Sequence, residues 1–375
     1  MLSCNICGRD GLKTVPGYAR LARVSSDCKP RPPGGELHVC TFCGGVQKPA
    51  TPAFLAEINE IYGAYDVYYQ GGGAEQVSLD TRDGTLKRRS DLLAERLFGS
   101  SFVKPKGTAL DFGCGNGVML RAIACREVGW VLDGLDLDDR YRPQLAAIPG
   151  FRKLVIAGQD NGSSSRYDLI TMIHVLEHLT DPLEKLTDIA SRLAPQGALF
   201  IQSPDLSANP FDLLIADHAT HFTPRGIQCL LHRAGFAVKS LATDWVSKEL
   251  SVIATVGASE DISPVEPVYE DNDVEQAIGW IESIAARAST LAAKGPLAIF
   301  GTSIAATWLT ATIGIDNVSF YVDEDSSRQG RLHFGKPVVA PTDVPRNVPV
   351  FICLSPGLAA AVAARMTSAG LTCVV

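Results

Sequence analysis

The sequence predicts an α/β protein built on a parallel doubly wound sheet, with a metal-binding unit before it and a second α/β unit after it. Three observations carry that expectation. Strands and helices alternate from Thr108 to about Val256, two CxxC pairs precede them, and an acidic stretch separates them from a further strand, turn and helix starting at Pro296. At 375 residues the chain has room for two or three domains, each with its own core. The expected boundaries are a zinc-binding domain over 1–75, the sheet domain over 76–256, an acidic linker over 257–275 and a C-terminal α/β domain over 276–375.

The metal-binding unit comes first. Cys4 and Cys7 form one CxxC and Cys40 and Cys43 another, each followed by glycine. A CxxC turn points two sulfurs at one ion, and two such turns complete a closed tetrahedral zinc site with no position left for water. The role expected is structural. A redox dithiol is the alternative, but such motifs open a helix in a thioredoxin-like pattern that this stretch lacks. Cys28, between the pairs, is a substitute ligand; Cys114, Cys125, Cys229, Cys353 and Cys373 read as core fillers. Residues 1–75 hold seven basic and seven acidic side chains, a balance that does not suit a nucleic-acid-binding zinc ribbon. Tyr62, Tyr65, Tyr68 and Tyr69 form an aromatic stretch, and Leu86, Leu92, Leu93, Leu97 and Phe98 predict a helix.

The whole chain carries a net charge of −7, with 46% hydrophobic and 20% charged residues, which excludes a disordered protein and argues against nucleic acid as a partner. The N-terminal segment MLSCNICGRD has no apolar signal run, so a reducing cytoplasmic location is expected. One uncharged stretch, Pro296 to Ile315, is about long enough to span a bilayer. Its two glycines, Ser303 and four threonines fit a buried strand, turn and helix instead, so no membrane span is expected.

The segment TALDFGCGNGVMLRAIA reads as a strand through Asp111, a turn through Gly113, Gly115 and Gly117, and a helix. Glycines permit positive φ and close approach of a ligand, and the helix N-terminus offers free amides. Nineteen residues past Gly117, a second strand ends at Asp136, whose carboxylate can accept from both hydroxyls of a ribose. Asp160, in AGQD after the third strand, is a candidate for an adenine amino group, or an exposed loop acid. His174 lines the cofactor pocket or is a satisfied core histidine; Glu177 and His178 cap and orient the next helix.

The order Asp then GxGxG resembles motif I of the class I S-adenosylmethionine-dependent methyltransferases, with Asp136 at their ribose-binding acid. Residues 168–182 and 193–205 resemble their fourth and fifth strands. The resemblance implies a Rossmann-like class I methyltransferase fold and S-adenosyl-L-methionine as cofactor, beside the structural Zn(2+).

Downstream lies DHATHF, with Asp217, His218 and His221. Histidine is suited to proton transfer near neutral pH, and an adjacent carboxylate can orient it, so a general base is one reading. A helix-terminus histidine pair and a metal site built from the same three residues are the others. With the paired cysteines and the C-terminal unit, the chain resembles the three-domain sugar C-methyltransferases, which act on nucleotide-linked keto-deoxysugars. In that family this segment carries a Tyr, a Glu and a His that serves as base. The Glu falls on Asp217, the His on His218, the Tyr on Ile215, and the aromatic after the His on His221. The resemblance implies that His218 deprotonates the carbon next to a carbonyl while Asp217 holds its imidazole. An O- or N-methyltransferase of a glycan or natural product is the first alternative, and a non-catalytic zinc-ribbon binding module the second.

The C-terminal unit follows, with a turn at Gly301 in GTSIAA and a strand ending at Asp323. The resemblance implies a Rossmann-like domain that helps hold a substrate nucleotide; a purely structural domain is the alternative.

Overall fold

Seven strands form the central sheet because the segments between residues 108 and 256 are almost continuously apolar, as a sheet covered on both faces requires. They are β1 (Thr108–Phe112), β2 (Val131–Asp136), β3 (Phe151–Ile156), β4 (Tyr167–Ile173), β5 (Leu193–Pro204), β6 (Phe236–Ala242) and β7 (Glu249–Val256). Their order is β3-β2-β1-β4-β5-β7-β6; β1 to β5 run parallel and β7 is antiparallel to both its neighbours. This is the class I methyltransferase arrangement, and its order reverses between β1 and β4, where open α/β sheets place ligands at the strand carboxyl ends.

The computed structural model describes residues 2–66, 73, 75, 77–80, 82–83, 85–126, 129–159, 165–257 and 272–375. Asp160, Tyr68, Tyr69 and most of the expected linker lie outside the described residues. The helices begin where local chemistry starts them. Asp181 accepts from Glu184 N with Pro182 next in line, and Thr223 accepts from Gly226 N before Pro224. The helix expected from Leu86 begins three residues later, spanning Arg89–Phe98, because Leu86–Arg88 pairs as a short strand with Val77–Leu79.

Leu12–Thr14, His38–Cys40 and Val46–Gln47 form an antiparallel N-terminal sheet whose fourth strand, Thr220–His221, comes from beyond β5. The sheet therefore crosses the boundary expected near residue 75. A six-stranded sheet occupies the C-terminal region, parallel except for Leu332–His333. Pro296 to Ile315 forms strand Leu297–Phe300, a turn and helix Ile304–Ile313, and no helix among the described residues is long and apolar enough to cross a membrane.

The N-terminal and C-terminal units share one core. Tyr18, Val24 and Leu37 pack with Ile281 and Trp308 through the bridging residues Phe211, Leu213 and Leu214. Phe211 lies 5.1 Å from the Trp280 ring and 5.7 Å from that of Trp308, and Tyr18 donates its hydroxyl to Leu213 O at 3.1 Å. Burying a side chain of this size contributes roughly 1.5–3 kcal/mol. The segment from Pro210 to Phe222 is thus clamped where the three regions meet.

Candidate active site

At the carboxyl end of β1 the chain turns through Gly113, Gly115 and Gly117, with φ of 78°, 49° and 83°. A Cβ on Gly113 would stand 2.5 Å from Val175 Cγ2, and one on Gly117 would stand 2.6 Å from Leu145 Cδ2, so glycine is required for space as well as conformation. Asp136, ending β2, accepts from Gly115 N at 2.6 Å and Leu137 N at 2.7 Å. Burial raises its pKa against those two hydrogen bonds. Asp111 sits beneath the loop, taking Thr171 Oγ1 at 2.6 Å, and burial pushes its pKa up to about 7. Asn116 Oδ1 is buried with no partner among the described residues. A tight positive-φ turn, a helix N-terminus at Val118, an acid at the next strand end and an orphaned acceptor fit an adenosyl cofactor.

His174 takes up φ 52°, a left-handed conformation that costs about 1–3 kcal/mol for a non-glycine residue and concentrates at functional sites. Its Nδ1 faces Glu177 Oε1 at 3.1 Å, and its Nε2 faces Arg89 Nη1 at 2.9 Å and Glu249 Oε2 at 3.2 Å. Burial would lower its pKa, but Glu249 and Glu177 outweigh that and Arg89, raising it to about 9. Both ring nitrogens are engaged, so His174 presents no free ring donor.

The DHATHF segment corrects the expected pairing. Asp217 does not hold His218: it accepts from Ser26 N at 2.8 Å and Ser26 Oγ at 2.5 Å, and its Oδ2 lies 3.4 Å from His178 Nδ1. His218 Nδ1 instead faces Asp212 Oδ1 at 2.7 Å, and His221 Nδ1 faces Asp212 Oδ2 at 2.6 Å. The short 3-10 turn Pro210–Leu214 curls Asp212 back under both imidazoles, while neighbouring side chains such as Asp217 and His218 diverge. Burial would raise the Asp212 pKa, but the two imidazoles hold it well below the usual range.

The His178 and His218 rings meet edge to face, with centroids 4.7 Å apart, and Tyr62 packs on His178 at 6.0 Å. Burial would lower the His178 pKa, but Asp217 and Glu177 raise it. Both imidazoles thus have Nδ1 committed, His218 to Asp212 Oδ1 and His178 to the Asp217 carbonyl oxygen at 3.1 Å with the carboxylate at 3.4 Å. The sequence did not point to Asp212 beneath the two imidazoles, to Lys48 beside His221 or to the contact of His178 with Asp217. Asp212 is the one a local signal offered, as the only other acid in the segment between Pro210 and Phe222.

Three side-chain groups among the described residues have metal-ligand spacing. In the first, Cys4 and Cys43 sulfurs are 3.6 Å apart, as are those of Cys7 and Cys40. Zinc–sulfur bonds of about 2.3 Å give tetrahedral edges of roughly 3.8 Å, so the four sulfurs fit one ion. Cys7 N and Gly45 N point at Cys4 and Cys43 sulfurs, as metal knuckles do, and Cys28 is not part of the group. In Asp212, His218 and His221 the facing atoms are already at hydrogen-bond distance, leaving no room for an ion. In Glu177, His178 and His218 the Glu177 oxygens already meet His174 Nδ1 and Ser203 Oγ, each at 3.1 Å.

Residues 84–241, which contain the glycine loop, Asp136 and the DHATHF segment, match the family model described as a methyltransferase domain. The central unit is a methyltransferase domain. The curated relatives carry methyltransferase names as well. The chain is 28% identical over 132 residues to a ubiquinone biosynthesis O-methyltransferase of Marinobacter nauticus, which covers 32% of this chain and 53% of that protein. It is 29% identical over 160 residues to the protein of the same name from Paracidovorax citrulli, covering 40% and 65%. The chain thus spans about half to two thirds of the length of these relatives. Among solved structures, an S-adenosylmethionine-dependent methyltransferase from Clostridium acetobutylicum is similar at 12% identity with a TM-score of 0.40, covering 53% of this chain and 99% of that one.

In the C-terminal unit, Gly301 has φ 86° and Thr302 donates to Asp323 Oδ2 at 2.9 Å, with Arg328 Nη1 3.0 Å from Thr302 and 3.2 Å from Asp323. The acid ending the second strand is therefore tied into the turn of the first.

Proposed function

We propose that the protein is an S-adenosylmethionine-dependent methyltransferase that methylates a carbon activated by a neighbouring carbonyl, in a nucleotide-linked keto-deoxysugar. The cofactor supplies an electrophilic methyl on a sulfonium. Gly113, Gly115, Gly117 and Asp136 would hold it at the strand ends, with His174 against its pocket; zinc on Cys4, Cys7, Cys40 and Cys43 would hold the N-terminal unit. Asp160 is retained as a candidate for the adenine.

The observation that carries the reading is the imidazole pair, each ring with its own aspartate. Enolisation needs a base for the carbon-bound proton and a donor for the oxygen that becomes negative; methylation of a hydroxyl needs the base alone. His218 Nε2 would take the proton, leaving the carbon–hydrogen electron pair in the enolate, and Asp212 would stabilise the resulting imidazolium. His178, whose protonated form Asp217 and Glu177 favour, would donate Nε2–H to the enolate oxygen. The enolate carbon would then take the methyl in line. The work of the residues is positioning and proton management, which together supply most of the rate gain in such reactions.

In deuterated solvent the wild type should exchange the proton next to the carbonyl of a keto-sugar nucleotide and, with labelled cofactor, place the methyl on that carbon. A product methylated on oxygen with no carbon-bound exchange would overturn this acceptor. It would favour the second reading, O-methylation by the same base, which the names of the curated relatives support.

A further inference from the structure

Lys48 follows strand Val46–Gln47 of the N-terminal sheet and turns inward, with 3% of its surface exposed. Its Nζ lies 2.6 Å from Ile215 O, 2.9 Å from His218 O and 3.2 Å from His221 Nε2. Burial pushes the Lys48 pKa down to about 7 against the pull of Asp212 and Asp217; as the ammonium it has three N–H bonds and no lone pair, so all three partners then accept. Two are carbonyls. The third accepts only if His221 carries its proton on Nδ1 and leaves Nε2 bare, and in that tautomer Nδ1 donates to Asp212 Oδ2. Burial pushes the His221 pKa down to about 4, and Lys48 acts in the same direction, so the ring stays neutral.

We propose that Lys48 is a positioning residue for the methyl-transfer base: it fixes the His221 tautomer and the carbonyls of Ile215 and His218, so that each Asp212 oxygen receives an imidazole N–H and His218 keeps Nε2 for the acceptor. This rests on the reading of His218 as base. Without Lys48, the charge that disfavours the His221 imidazolium is gone, and a proton taken up on Nε2 is left unpaired in a site that excludes water while Nδ1–H stays on Asp212. Asp212 then shifts, and the His218 ring shifts with it. The N-terminal unit consequently reaches the chemistry twice, through Lys48 and through the pairing of Val46 with His221.

The tautomer is read directly by nitrogen NMR of histidine-labelled protein, with the His221 signals assigned by their loss in His221→Gln. The wild type should show His221 as a single Nδ1–H tautomer with bare Nε2. In Lys48→Met that state should give way to mixed or protonated imidazole, and kcat should fall by about tenfold or more, part of the roughly 10²- to 10⁴-fold a positioned base supplies, with cofactor affinity unchanged. Lys48→Gln, which retains N–H donors, should recover part of kcat. An Nε2–H tautomer in the wild type, or an unaltered His221 spectrum in folded Lys48→Met, would overturn the proposal. The wild-type spectrum alone decides if Lys48→Met does not fold. Normal turnover in His218→Ala would overturn the base assignment separately, because the His221 spectrum does not depend on turnover.

Discussion

His218→Ala should lower turnover by about a hundredfold or more while cofactor affinity stays at its wild-type value, since a positioned general base contributes roughly 10²- to 10⁴-fold. Asp212→Asn should produce a loss of similar size. An amide can accept on only one side, so one of the two imidazoles facing Asp212 at 2.6 and 2.7 Å must meet an NH₂ group and turn its ring or its tautomer. His221→Ala should cost less, because its effect passes through Asp212. Asp217→Asn should leave His218 in place and instead weaken the His178 donor, together with the anchorage of Ser26. Steady-state kinetics and calorimetry on the four variants separate the two aspartates. A deeper loss in Asp217→Asn than in Asp212→Asn would restore the pairing expected from sequence adjacency.

Zinc should be present at one equivalent, and Cys4→Ser or Cys43→Ser should remove it while Cys114→Ser keeps it. Structural zinc sites carry about 10–16 kcal/mol of apparent binding free energy, which is folding free energy for the unit that encloses the ion. The N-terminal sheet is small and the four cysteines gather beside it, so these two substitutions should lower Tm markedly and unfold that sheet. Because the same sheet holds Thr220–His221 and carries Lys48, turnover should fall with it, although the ion touches no reacting atom. Elemental analysis checks the metal and calorimetric melting checks the stability. Purified protein without zinc, at an unchanged Tm, would reject the site.

What could be read from the sequence was what depends on short spacing. Two cysteines three apart make a metal knuckle by local geometry, and Gly113, Gly115 and Gly117 announce a turn that only glycine can make beside Val175 and Leu145. The alternation between residues 108 and 256 announces a parallel sheet because covered strands have no polar face to show. The proposed base was named from the sequence as a residue, but its carboxylate partner was not. Asp217 adjoins His218 in the chain, and adjacent side chains in an irregular segment point apart, whereas Asp212 is six residues away and reaches both rings through the 3-10 turn. Lys48 is separated from His218 by 170 residues, and no periodicity links a short N-terminal strand to a loop after β5. His178 read as a helix cap because its role depends on Asp217 and on the ring of His218.

The proposed methyl transfer requires an adenosyl cofactor held between the glycine loop and Asp136, and calorimetric titration of S-adenosylmethionine into the wild type and Asp136→Ala tests that most directly. Each carboxylate oxygen lost removes a charge-assisted hydrogen bond of about 1.5–3 kcal/mol. The expected result is one equivalent bound by the wild type and at least about tenfold weaker binding by a folded Asp136→Ala. Equal affinity in the two proteins, or no binding by either, would contradict it.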